Sequence, residues 1–329
     1  MSIEQRLDEL FADYVQEQQY SGTVLVAQHG QVILSGAYGW ANREHAVPNR
    51  PDTKFRIASI SKSFTAMGIL WLAERGKLDL GDSVRRYFTC PWLPVKATLH
   101  HLMTHTSGIP DFEKLPAFAN GEERSLLRTE DMLALIKDVP LLFEPGKGWS
   151  YGNTGYNLLA SLIERISEQS YGEFLRSVIL EPLGMTSTGS AYSQSIVSGL
   201  ADGYTKDEAG VLTKARYYEI HNFQGSGSLY STAEDLLLWD RALYANPIVS
   251  GDALARMFRR HAEASPRRHY GYGWSVYDRF RGHGGWLPGC WSKFRQYPEQ
   301  GLALIMLSNH DFTAENEILD RTGEIALTS

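Results

Sequence analysis

Apolar residues recur at helical spacing from Ile3 to Val15, with acidic and polar residues between them, which predicts a surface helix at the start of the chain. Over residues 22–39 the pattern changes. Two apolar, β-branched runs flank His29-Gly30, the signature of two strands joined by a tight turn. From about Ser59 to Asp202 the texture becomes helical, with runs at Ser61 to Arg75, Thr129 to Lys137, Thr154 to Glu168 and Tyr171 to Leu180 separated by Gly/Pro loops. Ser231-Thr232-Ala233-Glu234 reads as a capping box ahead of a helix that gathers Leu236, Leu237, Trp239 and Leu243 on one side. Strand patterns then return at residues 272–278, 280–285, 292–298 and 302–309. The last two are joined by the turn Pro298-Glu299-Gln300-Gly301, and a final helix is expected near Asn316 to Ala326.

Strands at both ends with helices between them predict an α+β fold: an antiparallel sheet built from both chain ends, flanked by helices, with a mostly helical region inserted. The expected division is residues 1–58 and 226–329 for the sheet region and 59–225 for the insertion, with an active site between them. No internal repeat or low-complexity tract suggests a solenoid or propeller.

Composition narrows the function classes. At 329 residues, 43% hydrophobic and 21% charged, the chain can bury a full core without a partner. A net charge of −6, with no long block of one sign, offers no basic stripe to nucleic acid or anionic lipid. No apolar run approaches the roughly 20 residues of a membrane span. The N-terminus lacks the basic start and uninterrupted apolar stretch of a secretory signal, so the expectation is a cytoplasmic protein, or one exported with its leader already removed. Two cysteines, Cys90 and Cys290, form neither a disulfide framework nor a close-spaced metal pair.

Lys62 is the only charged residue from Ile57 through Ala73, in a helix that is apolar or small nearly all round. Such a helix is buried, and a lysine rarely enters a core without a partner or a task. Ser59 precedes it by three residues, which on a helix sets the two side chains on one face about 5–6 Å apart at Cβ. Burial lowers a lysine's pKa, so neutral Lys62 would accept the Ser59 proton, and free N–H groups at the helix start would stabilise an oxyanion. The bland alternative is a lysine whose head snorkels to solvent. Tyr151-Gly152-Asn153 offers a phenol for proton relay and an amide for holding a substrate amide, against the alternative of plain turn chemistry. His283-Gly284-Gly285 closes a strand pattern, and its glycines would let a ligand approach the backbone, leaving the Trp286 N–H free.

Ser59-x-x-Lys62, Tyr151-x-Asn153 and His283-x-Gly285, in that order, resemble the three active-site motifs of the class C β-lactamase and penicillin-binding protein superfamily. Residues 102–112, 143–160, 181–189, 225–239 and 282–289 look like further family segments, so the resemblance runs from about residue 20 to 310. It implies a β-lactamase/transpeptidase-like fold and a serine acyl hydrolase in which Ser59 is acylated and Lys62 and Tyr151 share proton transfers. It further implies that Asn153, His283 and Gly285 line the substrate, that the Ser59 and Trp286 N–H groups form the oxyanion hole, and that no metal or organic cofactor takes part. The substrate would be a small ester, amide or peptide. The third motif departs from the usual lysine and small hydroxyl residue, which grip a carboxylate. Histidine and glycine there resemble D-aminopeptidase and esterase-like members, so esters or D-amino-acid amides are the expected substrates and β-lactam hydrolysis is expected to be weak or absent. A β-lactamase or D-alanyl-D-alanine carboxypeptidase is the nearest alternative, and a non-catalytic sensor of penicillin or peptidoglycan fragments, which would have damaged proton-handling residues, a further one.

Other patterns compete less well. Gly148-Trp149-Ser150-Tyr151-Gly152 matches the nucleophile elbow of α/β-hydrolases, with Asp240 and His283 following in triad order. Yet Pro145 and the glycines beside it indicate a loop where the elbow needs a strand. His101 and His105 have a metal-like spacing but no accompanying glutamate, and are read as structural. Gly225-Ser226-Gly227-Ser228 lacks the third glycine of a dinucleotide fingerprint, and Gly146-Lys147 lacks the spacing of a phosphate-binding loop.

Overall fold

The hairpin forms as its turn chemistry requires. Strand β1, Gly22–Gln28, pairs with β2, Gln31–Tyr38, and both residues between them lie in the left-handed region, His29 at φ 49° and Gly30 at φ 75°. This computed structural model describes residues 2–328 other than Gln18, Asn120, Asn246 and Thr313. Six C-terminal strands join the hairpin: β3 (Ala262–Ser265), β4 (Arg268–Tyr270), β5 (Ser275–Val276), β6 (Arg281–Leu287), β7 (Cys290–Tyr297) and β8 (Leu302–Ser308). They make one antiparallel eight-stranded sheet in the order β3-β4-β5-β6-β7-β8-β1-β2. Pairing of β1 with β8, from Gly22 opposite Ser308 to Gln28 opposite Leu302, brings the two ends of the chain together inside the sheet.

Strand β8 is buried at every position because both faces of the sheet are covered. Its residues alternate between two cores. Leu302, Leu304 and Met306 join Val24, Val26 and Trp291 against helices α1 (Ile3–Gln16) and, at the other end of the chain, Glu315–Leu327. Ile305 and Leu307 join Leu25 and Phe294 in the larger core, which continues into the helices α2 (Ser61–Glu74), α3 (Leu99–Thr104), α4 (Thr154–Ser167) and α5 (Ala233–Ala245). Helix α2 is buried from Ser61 through Leu70, and Phe64 stacks on Trp239 of α5 with ring centroids 4.4 Å apart.

Several elements differ from the sequence pattern. The pattern at 272–278 yields only the short β5, because Gly271 to Trp274 form a turn in which the Gly271 N–H bonds to the Trp274 carbonyl. Strands β3 and β4 escaped notice: their charged, half-exposed residues lie at the sheet edge and show no apolar alternation. The helical middle also holds short strands at Gly189–Ser190, Tyr204–Lys206 and Leu212–Lys214. The cap of α5 falls one residue later than expected, with Thr232 Oγ1 accepting from the Asp235 N–H at 3.2 Å, while the Ser231 hydroxyl turns to Thr188 at 2.7 Å.

Because the Phe64–Trp239 stack ties the helix carrying Lys62 to the sheet-packed α5, Trp239→Ala is expected to destabilise the fold by about 3–5 kcal/mol. Urea unfolding followed by tryptophan fluorescence and far-ultraviolet circular dichroism would read this as a lower midpoint; an unchanged midpoint would rule out that role for the stack.

Candidate active site

Ser59 lies in a tight helical turn, Ala58–Ile60, that runs straight into α2. Three contacts fix this turn. The Ile57 N–H donates to the Leu229 carbonyl at 2.9 Å, the Ser292 hydroxyl of β7 donates to the Ile57 carbonyl at 2.7 Å, and the Leu229 N–H donates to Ser61 Oγ at 3.1 Å. Ala58 takes φ 44°, a left-handed conformation that costs a non-glycine residue on the order of 1–3 kcal/mol. Strand β6 packs directly on it, and a Cβ on Gly285 would stand 2.7 Å from both Ala58 Cβ and the Ser59 nitrogen. Only glycine fits there.

Lys62 is fully buried, and its amino group has three partners: Ser59 Oγ at 3.0 Å, Asn153 Oδ1 at 2.7 Å and the Ser226 carbonyl at 2.8 Å. Desolvation pulls its pKa down, the Asp111 and Glu113 carboxylates hold it up, and it comes to rest at about 7. The partner set then settles what the neutral amine does. Asn153 Oδ1 and the Ser226 carbonyl only accept, so both remaining N–H bonds point to them and the lone pair is left facing the Ser59 hydroxyl.

The Asn153 amide is oriented by its neighbours, since Lys62 only donates to Oδ1 while the Glu113 carboxylate accepts from Nδ2 at 2.5 Å. Asp111 accepts from the Asn153 and Thr154 N–H groups at 3.0 and 3.3 Å, which anchors the start of α4. Burial raises the pKa of Glu113, with Asp111 adding to the effect. Tyr151 shares a hydrogen bond with Ser59 and places its ring 4.8 Å from the Lys62 nitrogen. Its phenol is pushed well up by burial and is protonated at neutral pH.

His283 is buried, and both ring nitrogens are engaged. Nδ1 lies 2.6 Å from the Gly284 carbonyl and so carries the proton, leaving Nε2 to accept from the Tyr270 hydroxyl at 2.9 Å. Burial, reinforced by the Lys62 charge, lowers its pKa to about 3. A histidine at its ordinary pKa would be partly charged near neutral pH; this one is neutral. Strand β5 pairs only with Arg281 and Gly282, so among the described residues no strand covers the outer edge of β6 from His283 to Leu287. That edge borders a cleft of about 710 Å³ lined by Ser59, Tyr151, Asn153, His283, Gly285 and Trp286 together with Glu113, Trp149, Phe223, Ser226 and Arg268. The Trp286 side chain is half-exposed at the mouth, and its indole N–H donates to the Asp311 carbonyl at 3.1 Å.

The competing patterns do not assemble into sites of their own. Ser150 sits in irregular chain, its N–H bonded to the His105 carbonyl, and Asp240 accepts from Gln296 at 2.6 Å. With His283 Nδ1 bonded to Gly284, the three make no triad. His101 caps α3 by accepting the Thr98 N–H at 3.2 Å, and His105 is enclosed by Trp149, Tyr151, Tyr156 and Tyr270. Cys90 and Cys290 are both free thiols. Sequence reasoning missed Asp111, Glu113, the Ser226 carbonyl and Arg268. The acids did lie in or beside the family-like stretch 102–112, but nothing in the sequence marked Arg268.

A large antiparallel sheet beside a Ser-x-x-Lys pair whose lysine is buried and whose serine opens on a cleft defines a class, the serine hydrolases of the penicillin-recognising type. The chain belongs to the Beta-lactamase family, whose model matches residues 7–327. It is 33% identical to penicillin-binding protein 4* of Bacillus subtilis strain 168, over 94% of this chain and 73% of that protein. Esterase EstB of Burkholderia gladioli is 29% identical over 83% of this chain and 78% of its own length. The crystal structure of a D-amino acid amidase from Ochrobactrum anthropi SV3, complexed with L-phenylalanine amide, superposes with a TM-score of 0.87 at 25% identity, covering 99% of both chains.

If neutral Lys62 is the proton acceptor, kcat/KM for ester hydrolysis is expected to rise with pH through an inflection near 7. Glu113→Gln removes a charge that holds the lysine's pKa up, so the inflection is expected to move to lower pH. A pH–rate profile in which it stays fixed or moves up would assign the titration to another group.

Proposed function

We propose that this chain is an acyl hydrolase acting on small esters or D-amino-acid amides through an acyl-Ser59 intermediate. The observation that carries the reading is the lone pair of Lys62 held toward the Ser59 hydroxyl by two acceptor-only partners. Neutral Lys62 takes the Ser59 proton as Oγ attacks the substrate carbonyl. The N–H groups of Ser59 and Trp286 receive the oxyanion, two donors that together supply several kcal/mol of transition-state stabilisation. Tyr151, protonated and bonded to Ser59, passes a proton to the leaving group as the tetrahedral intermediate collapses. Water then enters, Tyr151 and Lys62 reverse their parts, and the acid is released. Asn153 positions Lys62 and keeps one N–H for the substrate amide.

Support for the substrate class comes from the cleft walls. Glu113 gives a carboxylate beside Asn153 suited to the ammonium of an amino-acid amide. The third motif lacks a cation and a hydroxyl for a penicillin carboxylate, since His283 is neutral and internally bonded and Gly284 has no side chain. A second reading, D-alanyl-D-alanine carboxypeptidase, draws on Arg268, which lines the cleft with no acidic partner among the described residues and bonds only to Ser275 Oγ at 3.1 Å. The non-catalytic alternative requires damaged proton-handling groups, whereas Ser59, Lys62 and Tyr151 stand within reach of one another.

Initial rates of wild type and Ser59→Ala on a short-chain aryl ester, a D-alanine anilide and a cephalosporin test both parts. The ester or anilide is expected to outrun the cephalosporin, and Ser59→Ala is expected to abolish all turnover. Retained activity in Ser59→Ala would move the reaction centre elsewhere; a cephalosporin preference would overturn the substrate reading alone. Lys62→Ala is expected to lose about 10²–10⁴ in kcat/KM.

A further inference from the structure

Behind the hairpin that carries Trp286, Arg56 presents a charge without a counterpart. It ends the short strand Phe55–Arg56, three residues before Ser59, and its side chain makes no hydrogen bond, ion pair or ring contact with any described residue. Its Nη1 is buried and unbonded. Arg56 also lines a second cavity of about 310 Å³, walled by Phe55, Tyr218, Pro288, Gly289, Cys290 and Asn309. The other charged groups on this cavity are already satisfied. Lys214 pairs with Glu44 at 3.1 Å and Asp202 at 3.7 Å, Arg216 pairs with Glu123 at 3.0 Å, and Asp202 also accepts from the Asn42 amide. Asn309, 1% exposed, gives both amide hydrogens to the Trp40 and Asp202 carbonyls and leaves Oδ1 buried without a donor.

No carboxylate among the described residues pairs with this half-buried guanidinium, Asp311 Oδ2 accepting instead from the Gly289 N–H at 2.7 Å, and proteins ordinarily pair such groups. Its planar fork matches a carboxylate or a phosphate oxygen pair. We propose that this cavity is a small-anion site, in which a carboxylate or phosphate group completes the hydrogen bonding of Arg56. The volume lies at the lower end of the roughly 300–1,000 Å³ range of small-molecule sites, so the occupant is a small organic acid, a small phosphate ester or the inorganic ion. The site is separate from the catalytic cleft, and its occupancy does not depend on the reaction assigned to Ser59.

Isothermal titration calorimetry of the full chain with inorganic phosphate and, separately, with acetate tests the site. Saturable binding of at least one is expected, with the stronger of the two identifying the head group. Affinity is expected to fall about tenfold or more in Arg56→Met, the loss of one charge-assisted contact. Arg268→Met, which removes the guanidinium of the catalytic cleft, is expected to leave it unchanged. No saturable binding by wild type, or a loss that follows Arg268 and spares Arg56, would overturn the proposal. Should Arg56→Met not fold, Arg56→Lys keeps the charge but not the fork; weaker binding is then expected, and unchanged affinity would count against the site.

Discussion

The structure depends on the burial of one amino group. Lys62 has no access to water, so its charge is held only by what the chain places around it: two acceptor atoms, one hydroxyl and two nearby carboxylates. Burial favours the neutral amine, and the carboxylates favour the charged one. The balance between them leaves an amine that can be either. The residues that make this balance come from three parts of the chain: Asp111 and Glu113 from the loop after α3, Asn153 from the start of α4, and Ser226 from the turn before α5. Holding these four in register is therefore what the helical packing around α2 has to accomplish.

The sheet contributes rigidity of another kind. The turn that carries Ser59 takes an unfavourable backbone at Ala58, and this persists because β6 and β7 leave it no alternative: Gly285 lies against it without a side chain, and Ser292 holds the Ile57 carbonyl. The same strand offers the cleft an unpaired edge from His283 onward. The strain at Ala58 thus comes from the close approach of a glycine-rich strand to the start of a buried helix, and the open edge beside it from the shortness of β5. A side chain at 285 would relieve neither; it would push the two apart.

What the sequence made legible follows from the range of the interactions involved. The β1–β2 hairpin, the wholly apolar β8 and the buried α2 are each set by a few neighbouring residues, and all three appear where the periodicity placed them. Lys62 stood out for the same reason, as a lone charge in an apolar run. Strands β3 and β4 were invisible because an edge strand with one covered face and charged residues lacks the alternation that marks an interior one. The Ser226 carbonyl has no side-chain signature at all, and the part played by Glu113 depends on a contact with Asn153 forty positions away. His283 shows the limit most plainly: a histidine's ordinary pKa implies a partial charge near neutral pH, while its charge state here is decided by burial and by the Lys62 charge, which periodicity could not place beside it.

The carboxylate of Glu113 joins two functions that are usually considered apart. It faces the cleft, and it is one of the two charges that hold the Lys62 pKa up. On the proposed reading, an amino-acid amide sets its ammonium against this carboxylate and partly cancels its field at Lys62. The lysine then loses support for its proton while the substrate is bound, and its lone pair becomes more available to Ser59 at the moment it is needed. A simple ester carries no ammonium and gains nothing of this kind, so the two substrate classes differ in the state of the base they meet as well as in the contacts they make. Discrimination between them would then appear in kcat as well as in KM, because the favourable contact is converted into a more reactive base and is not retained wholly as ground-state binding.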